Sequence, residues 1–424
     1  MIIPSTKTEN KLTPMRKLYL LTLLLTLALT SCKEAEGPAP QPELKLPAVT
    51  FNFRYDLVPY EAEEFELIVS QKDGKVLLDT LIAPRVRHEL VVESEETKFD
   101  VTTIYLDPTS KKYSMRTYVQ VNPHNWHVTD YFGFYTGGAS EACEIKFTNV
   151  PPPVVSSYHL FKGKNPGGQT SNGWDDEGNL VIGYNRFLPA DTVYLLMTQV
   201  GKYIFAPVTS ELTEIDFSEA KPVVEHRLNV PAGMAWQGYS LDGYLSKGNY
   251  IHGLLIDFGL GEEVQYPSTL IEEYLLTVDY YDAEGCWHKY HHIGESVPTD
   301  LGYLTESDFA IAKAEFNDFQ IRFKEDMPTS YYMEWGSEEL KVNWRIYLAP
   351  EQTTFKPQDY LQSLSVGYLK GMDLSGFTLK DLTSYQADKT KNYTFQSLHD
   401  YLNNPEAVLK HEMRQYRTIQ KIFR

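Results

Sequence analysis

The run Cys286-Trp287-His288-Lys289-Tyr290-His291-His292 concentrates the side chains most able to hold a metal ion. Zinc accepts thiolate and imidazole, but it needs three or four ligands converging on one point. If the run is a strand, Cys286, His288 and His292 share one face and His291 takes the other. Positions two apart on a strand lie ~6.5–7 Å apart, which two ligands can bridge, whereas Cys286 and His292 stand about 20 Å apart. The run therefore offers two pairs, Cys286 with His288 or His288 with His292 across a bend. It offers no complete metal site, and no cofactor is expected. Gly173-Trp174-Asp175-Asp176-Glu177-Gly178-Asn179 presents carboxylates, but not the spaced acidic series and distal Glu of a calcium-binding EF-hand loop. It reads as a tight turn with solvated acids.

Aromatic residues supply a second kind of chemistry. Tyr makes up 30 of the 424 residues, and there are six Trp. Trp126, Trp174 and Trp236 each sit among Gly, Asn, Pro or Gln, a setting that reads as loop. There an indole can stack on the C–H face of a sugar while nearby Asp, Asn and Gln take its hydroxyls. Trp335 and Trp344 fall in strand-like runs and read as core. No G-x-S-x-G elbow, H-E-x-x-H helix or phosphate-binding loop is present, and Gly259-Leu260-Gly261 lacks a strand–helix setting. These absences favour binding over catalysis. A hydrolase with converging carboxylates stays as an alternative, because the separation of such a pair is a spatial property.

The amino-terminal segment gives an address. Arg16-Lys17 precedes the apolar run Leu18 to Leu29, and small residues follow, the three parts of a secretory signal peptide. The run falls well short of the ~20 apolar residues a spanning helix needs. Leu29-Thr30-Ser31-Cys32 resembles a bacterial lipobox. The resemblance implies lipidation of Cys32, removal of residues 1–31 and translation from Met15. Lys33-Glu34-Ala35-Glu36 is similar to the lysine-plus-acidic export signal of Bacteroidota lipoproteins. That likeness implies an outer-membrane lipoprotein whose body faces the cell surface or the periplasm. Residues 32–47 then form a tether, with Gly37-Pro38-Ala39-Pro40-Gln41-Pro42 favouring extended chain.

Charge narrows the partners. The whole chain carries −18, and residues 1–31 carry +3, so the remainder carries −21. Nucleic acid and anionic headgroups would be repelled. The expected partners are a membrane, through the lipid alone, and a glycan or a surface protein. Apart from Cys32 the cysteines are Cys143 and Cys286, which read as buried free thiols.

Short strands must position all of this. Phe65–Ser70 and Lys75–Ile82 flank Asp73-Gly74, a hairpin signal because a tight primed turn needs positive φ. His88–Glu93, Phe99–Leu106, Tyr113–Val121 and Cys143–Val150 continue the pattern. The expected class is mainly β: tandem immunoglobulin-like sandwiches over 48–150 and 151–298, then a β-rich domain over 299–424. Gly163 to Gly178 reads as a long polar loop. Asn404-Pro405-Glu406 are helix start signals, and Val408 to Phe423 carry an apolar stripe, so a carboxy-terminal amphipathic α-helix is expected. The function that fits is a lipid-anchored binding or accessory protein, with a structural or adhesive subunit as the alternative.

Overall fold

A computed structural model describes residues 46–130, 138–152, 159–165, 167–248, 253–324, 327–364, 367–371 and 376–423. Cys32, the signal segment 1–31 and nearly all of the tether lie outside the described residues. Ala48–Arg424 form one compact unit, distinct from Met1–Pro47.

The strands follow the sequence closely. The first seven are β1 (Ala48–Tyr55), β2 (Phe65–Ser70), β3 (Val76–Ile82), β4 (His88–Glu93), β5 (Phe99–Leu106), β6 (Tyr113–Val121) and β7 (Asn125–Val128). Gly74 takes φ +86 between β2 and β3, the left-handed turn that Asp73-Gly74 foretold. Eight more follow: β8 (Ser140–Thr148), β9 (His159–Gly163), β10 (Gln169–Trp174), β11 (Leu180–Phe187), β12 (Asp191–Met197), β13 (Lys202–Val208), β14 (Leu212–Asp216) and β15 (Lys221–Pro222). They form two four-stranded sheets, β10-β11-β8-β14 and β15-β13-β12-β9, closed on Ile145, Phe147, Phe161, Leu180 and Leu195. This is a complete sandwich.

Next come β16 (Val224–Arg227), β17 (Ala235–Tyr244), β18 (Leu254–Gly259), β19 (Glu263–Tyr266), β20 (Glu273–Tyr281) and β21 (Trp287–Gly294). The chain then forms β22 (Phe309–Glu315), β23 (Asp318–Phe323), β24 (Ser330–Ser337), β25 (Val342–Leu348) and β26 (Thr354–Phe355). Helix α1 (Pro357–Ser363), β27 (Thr378–Ala387), α2 (Phe395–Leu402), α3 (Pro405–Leu409) and β28 (Gln415–Ile422) complete it.

One sheet of twelve strands joins segments from across the unit, in the order β18-β17-β20-β21-β28-β27-β24-β25-β6-β5-β2-β3. Three quartets compose it, and the one latest in sequence, β25-β24-β27-β28, lies in the middle. Its two joints are β25 parallel to β6 and β28 antiparallel to β21.

Period-two side-chain alternation gives this sheet two distinct faces. Tyr331, Met333, Trp335, Trp344, Ile346 and Leu348 point to one, under the small sheet β22-β23-β26 and helix α1. Farther along the same face, Leu241, Leu276, Val278 and Tyr290 pack under β19 and the neighbouring sandwich through Val264, Leu160 and Leu196. On the opposite face, the sheet β4-β1-β7 covers β2, β5 and β6 through Phe51, Phe53, Leu67 and Tyr118. Helix α2 lays His399 against Tyr118 and Tyr347 at the margin of that cover, and with α3 it also covers the region of Ala387 and Met413.

The chain is therefore mainly β, built of stacked sheets, with short helices near its carboxy-terminal end. The long amphipathic helix is a correction. Asn404 does cap a helix, accepting a hydrogen bond from the Ala407 amide, but α3 stops at Leu409. His411 then takes φ +46, which a helix cannot continue through, and Gln415–Ile422 is a strand. Neighbours on both sides override helical spacing there: β28 pairs with β21 and with β27. The polar stretch after Gly163 also differs, since it contains the edge strand β10. Its residues are exposed except for half-buried Trp174, so no apolar alternation marked it.

Candidate functional site

The expected site residues separate on folding. Trp126 is fully buried on β7, its Nε1 donating to Asp400 Oδ1 at 2.7 Å, so it cannot stack on a ligand. Trp174 is half-buried at the end of β10 and leans on the sandwich core. The neighbouring Asp175 carboxylate pairs with Lys146 at 2.9 Å and accepts from Asn179, and these bonds hold its pKa below the usual range. Trp236 lies on β17, half-buried, its Nε1 donating to the Gly261 carbonyl at 3.1 Å.

The metal candidates also disperse. Cys286 precedes β21 as a buried thiol, and burial pushes its pKa up to about 11. His288 is fully buried and bonded to Asp282 Oδ2 at 2.9 Å, while His292 is half-buried four positions on. Among the described residues no group of three or more His, Cys, Asp or Glu side chains could hold an ion.

What the fold does bring together is on the face of the long sheet that carries β4-β1-β7, beginning beneath that cover at β6 and running out beyond it. Cross-strand register sets a row running Tyr118, Tyr347, Tyr332, Thr383, Gln420, Trp287, Tyr281. Six steps between strands make it about 29 Å long. Tyr118 and Tyr347 stack at 4.7 Å with 7° between planes, and Tyr332 meets Tyr347 at 5.4 Å. Apart from Tyr118 and Thr383, which are buried, these side chains are half-buried. Among the described residues, Tyr332, Thr383, Gln420, Trp287 and Tyr281 belong to no hydrophobic core.

A charged row flanks it: Arg116, Arg345, Glu334, Asp381. Arg345 Nη2 holds Glu334 Oε2 at 2.7 Å, and its guanidinium lies 4.7 Å from the Tyr332 ring centroid. Asp381 accepts from Thr383 at 2.9 Å and from Gln420; burial nevertheless keeps its pKa raised. The Arg116 guanidinium lies over the Tyr347 ring at 5.8 Å. Burial alone would raise the Tyr347 phenol, but the Arg116 and Arg345 charges outweigh it and hold it below its ordinary pKa.

Two further rows complete the face. One runs Tyr385, Thr418, Lys289, Asp279; the other runs Tyr416, His291, Thr277, Ser240, Phe258. His291 stacks on Tyr416 at 4.3 Å, and burial pushes its pKa down to about 3, so it is neutral at ordinary pH. A hollow of about 410 Å³ opens beside His291, Gln386 and Tyr416. Another of about 760 Å³ lies at the far edge over Ser240, Phe258 and Asp279. The face thus offers ring surfaces, amides, hydroxyls and both signs of charge within one rigid sheet. The sequence did carry a signal for it: Tyr, Trp and Arg fill alternate positions between buried apolar residues in Tyr331–Trp335, Trp344–Leu348 and Trp287–Tyr290.

Among the described residues no helix is long and apolar enough to cross a membrane. No family model matches the chain, and no curated protein matches it. Among solved structures, the chain is 11% identical to Sidekick-1 immunoglobulin domains 1–4, over 84% of this chain and 94% of that one, with a TM-score of 0.14, too low for any statement of kinship or function.

Proposed function

We propose that this chain is a non-enzymatic binding protein, tethered through a lipid on Cys32, whose ligand is a glycan lying along the open face of the long sheet. The observation that carries the reading is the aromatic row from Tyr332 to Tyr281, half-buried save for buried Thr383 and flanked by carboxylates and amides. Rings take the apolar faces of sugars and the polar rows take their hydroxyls, the usual division of labour in a ligand site. Scattered, buried His, Cys and carboxylate groups favour binding over hydrolysis.

A glycan array probed with the purified chain tests this. Trp287→Ala and Tyr332→Ala should each weaken the strongest sugar signal about tenfold, as loss of a central aromatic contact does. Trp174→Ala, in another sheet, should leave it unchanged. Unchanged binding in both face variants would remove the reading. The anchor is tested separately: Cys32→Ser should release the protein from the membrane fraction of the producing cells.

The adhesive alternative has its own observation. The long sheet ends at β3, whose ladder among the described residues is to β2 alone, and Leu81 there is half exposed. Such an edge can accept a strand from another chain.

A further inference from the structure

Arg116, on β6 at the covered end of this face, differs from Arg345 in having no acid beside it. Glu334 neutralises its register partner Arg345, yet among the described residues no carboxylate lies within 4 Å of Arg116. The groups that face it are the phenols of Tyr55 on β1, Tyr118 on β6 and Tyr347 on β25, with His399 on α2. Burial and the Arg116 charge push His399 down to about 3, so it adds no charge at ordinary pH. Two guanidinium groups thus stand opposite each other on β6 and β25, an arrangement that costs stability when nothing neutralises it. In a chain with 57 acidic and 39 basic residues, a half-buried arginine without an acid is out of keeping with its surroundings.

Building on the glycan reading above, we propose that Arg116 binds a carboxylate carried by the ligand, so that the glycan is a uronate-bearing one. A guanidinium presents two parallel N–H groups that match a carboxylate, and surrounding phenols supply further donors. The site lies where the charged row and the aromatic row begin together, at Arg116 and Tyr118. Tyr118 already stacks on Tyr347, so the sugar lies over Tyr332, the next ring of the row, and the chain of rings extends its carboxylate toward Arg116. Strands repeat every ~4.8 Å, which suits a linked chain of rings crossing them. An acidic peptide would gain the same charge contact, and the array distinguishes it from a sugar.

The test is an array carrying uronate oligosaccharides of several linkages, their methyl esters and acidic peptides, probed with the full chain. The acids should bind about tenfold more tightly than their esters, with the preference shrinking as salt rises. Arg116→Gln should bring acid and ester to equal affinity, and Arg116→Lys should keep part of the preference. Near-ultraviolet circular dichroism identifies any variant that fails to fold. Equal binding of acids and esters by the unmodified chain would overturn this inference while leaving the glycan reading standing. Binding of the acidic peptides in place of sugars would overturn both, and so would an array with no sugar bound at all.

Discussion

Glu66 shows how one side chain can set a pH dependence. It is 1% exposed on β2, and Oε2 accepts from the Tyr368 amide at 3.0 Å. Burial raises its pKa to about 7, with the Asp79 carboxylate contributing, although the Tyr368 bond works the other way. Gly367, at φ +50, is required beside it, because a Cβ there would fall 1.3 Å from Glu66 Oε1. An acid whose folded pKa lies above its unfolded one favours folding when protonated. Its contribution is complete below about 4.5 and disappears as pH rises through 7. Glu66→Gln keeps an acceptor for Tyr368 and a donor for Asp79 while removing the charge. The variant should therefore gain about 3 kcal/mol over the parent at pH 8 and nothing at pH 4. Denaturant midpoints at the two pH values measure this, and a constant difference would refute the assignment.

At the scale of elements, much was legible. The limits of β2, β4, β5 and β6 coincide with the alternating runs seen in the sequence, and the Asp73-Gly74 turn sits where positive φ is needed. β28 was not legible, because Tyr416, Ile419 and Phe423 satisfy helical spacing as well as they do the edges of a strand. The two readings make different demands on Ile419 and Ile422. A helical stripe would bury both, whereas the strand buries Ile419 completely and leaves Ile422 58% exposed. Ile419→Ala should cost about 2–4 kcal/mol and Ile422→Ala less than about 0.5 kcal/mol, as measured by thermal or denaturant unfolding. Similar losses at both positions would contradict the strand. The open-face rows were hidden for another reason. Tyr118, Tyr347, Tyr332, Gln420 and Trp287 come from five strands, and only the order of those strands makes them neighbours.

At the scale of the molecule, that order ties distant parts of the chain into one sheet. β28 is the joint: it pairs with β21 through Trp287–His292 and with β27 through Asp381–Ala387. Without it, β21 and β27 would each present a bare edge, and Cys286, Ile419 and Trp335 would no longer share a closed core. The Arg417–Asp308 ion pair at 3.0 Å would go as well, leaving buried Asp308 with Ser384 as its hydrogen-bond partner. An uncompensated buried charge of that kind typically costs about 3–5 kcal/mol. The sandwich of β8 to β15 keeps its own core and does not depend on β28. Deleting residues 415–422 should therefore open the long sheet between β21 and β27 while sparing that sandwich. Limited proteolysis should then cut the segment between β21 and β22 rapidly and release a resistant fragment containing residues 140–222. A deletion variant as resistant as the parent would show that the two halves of the long sheet stand without their joint.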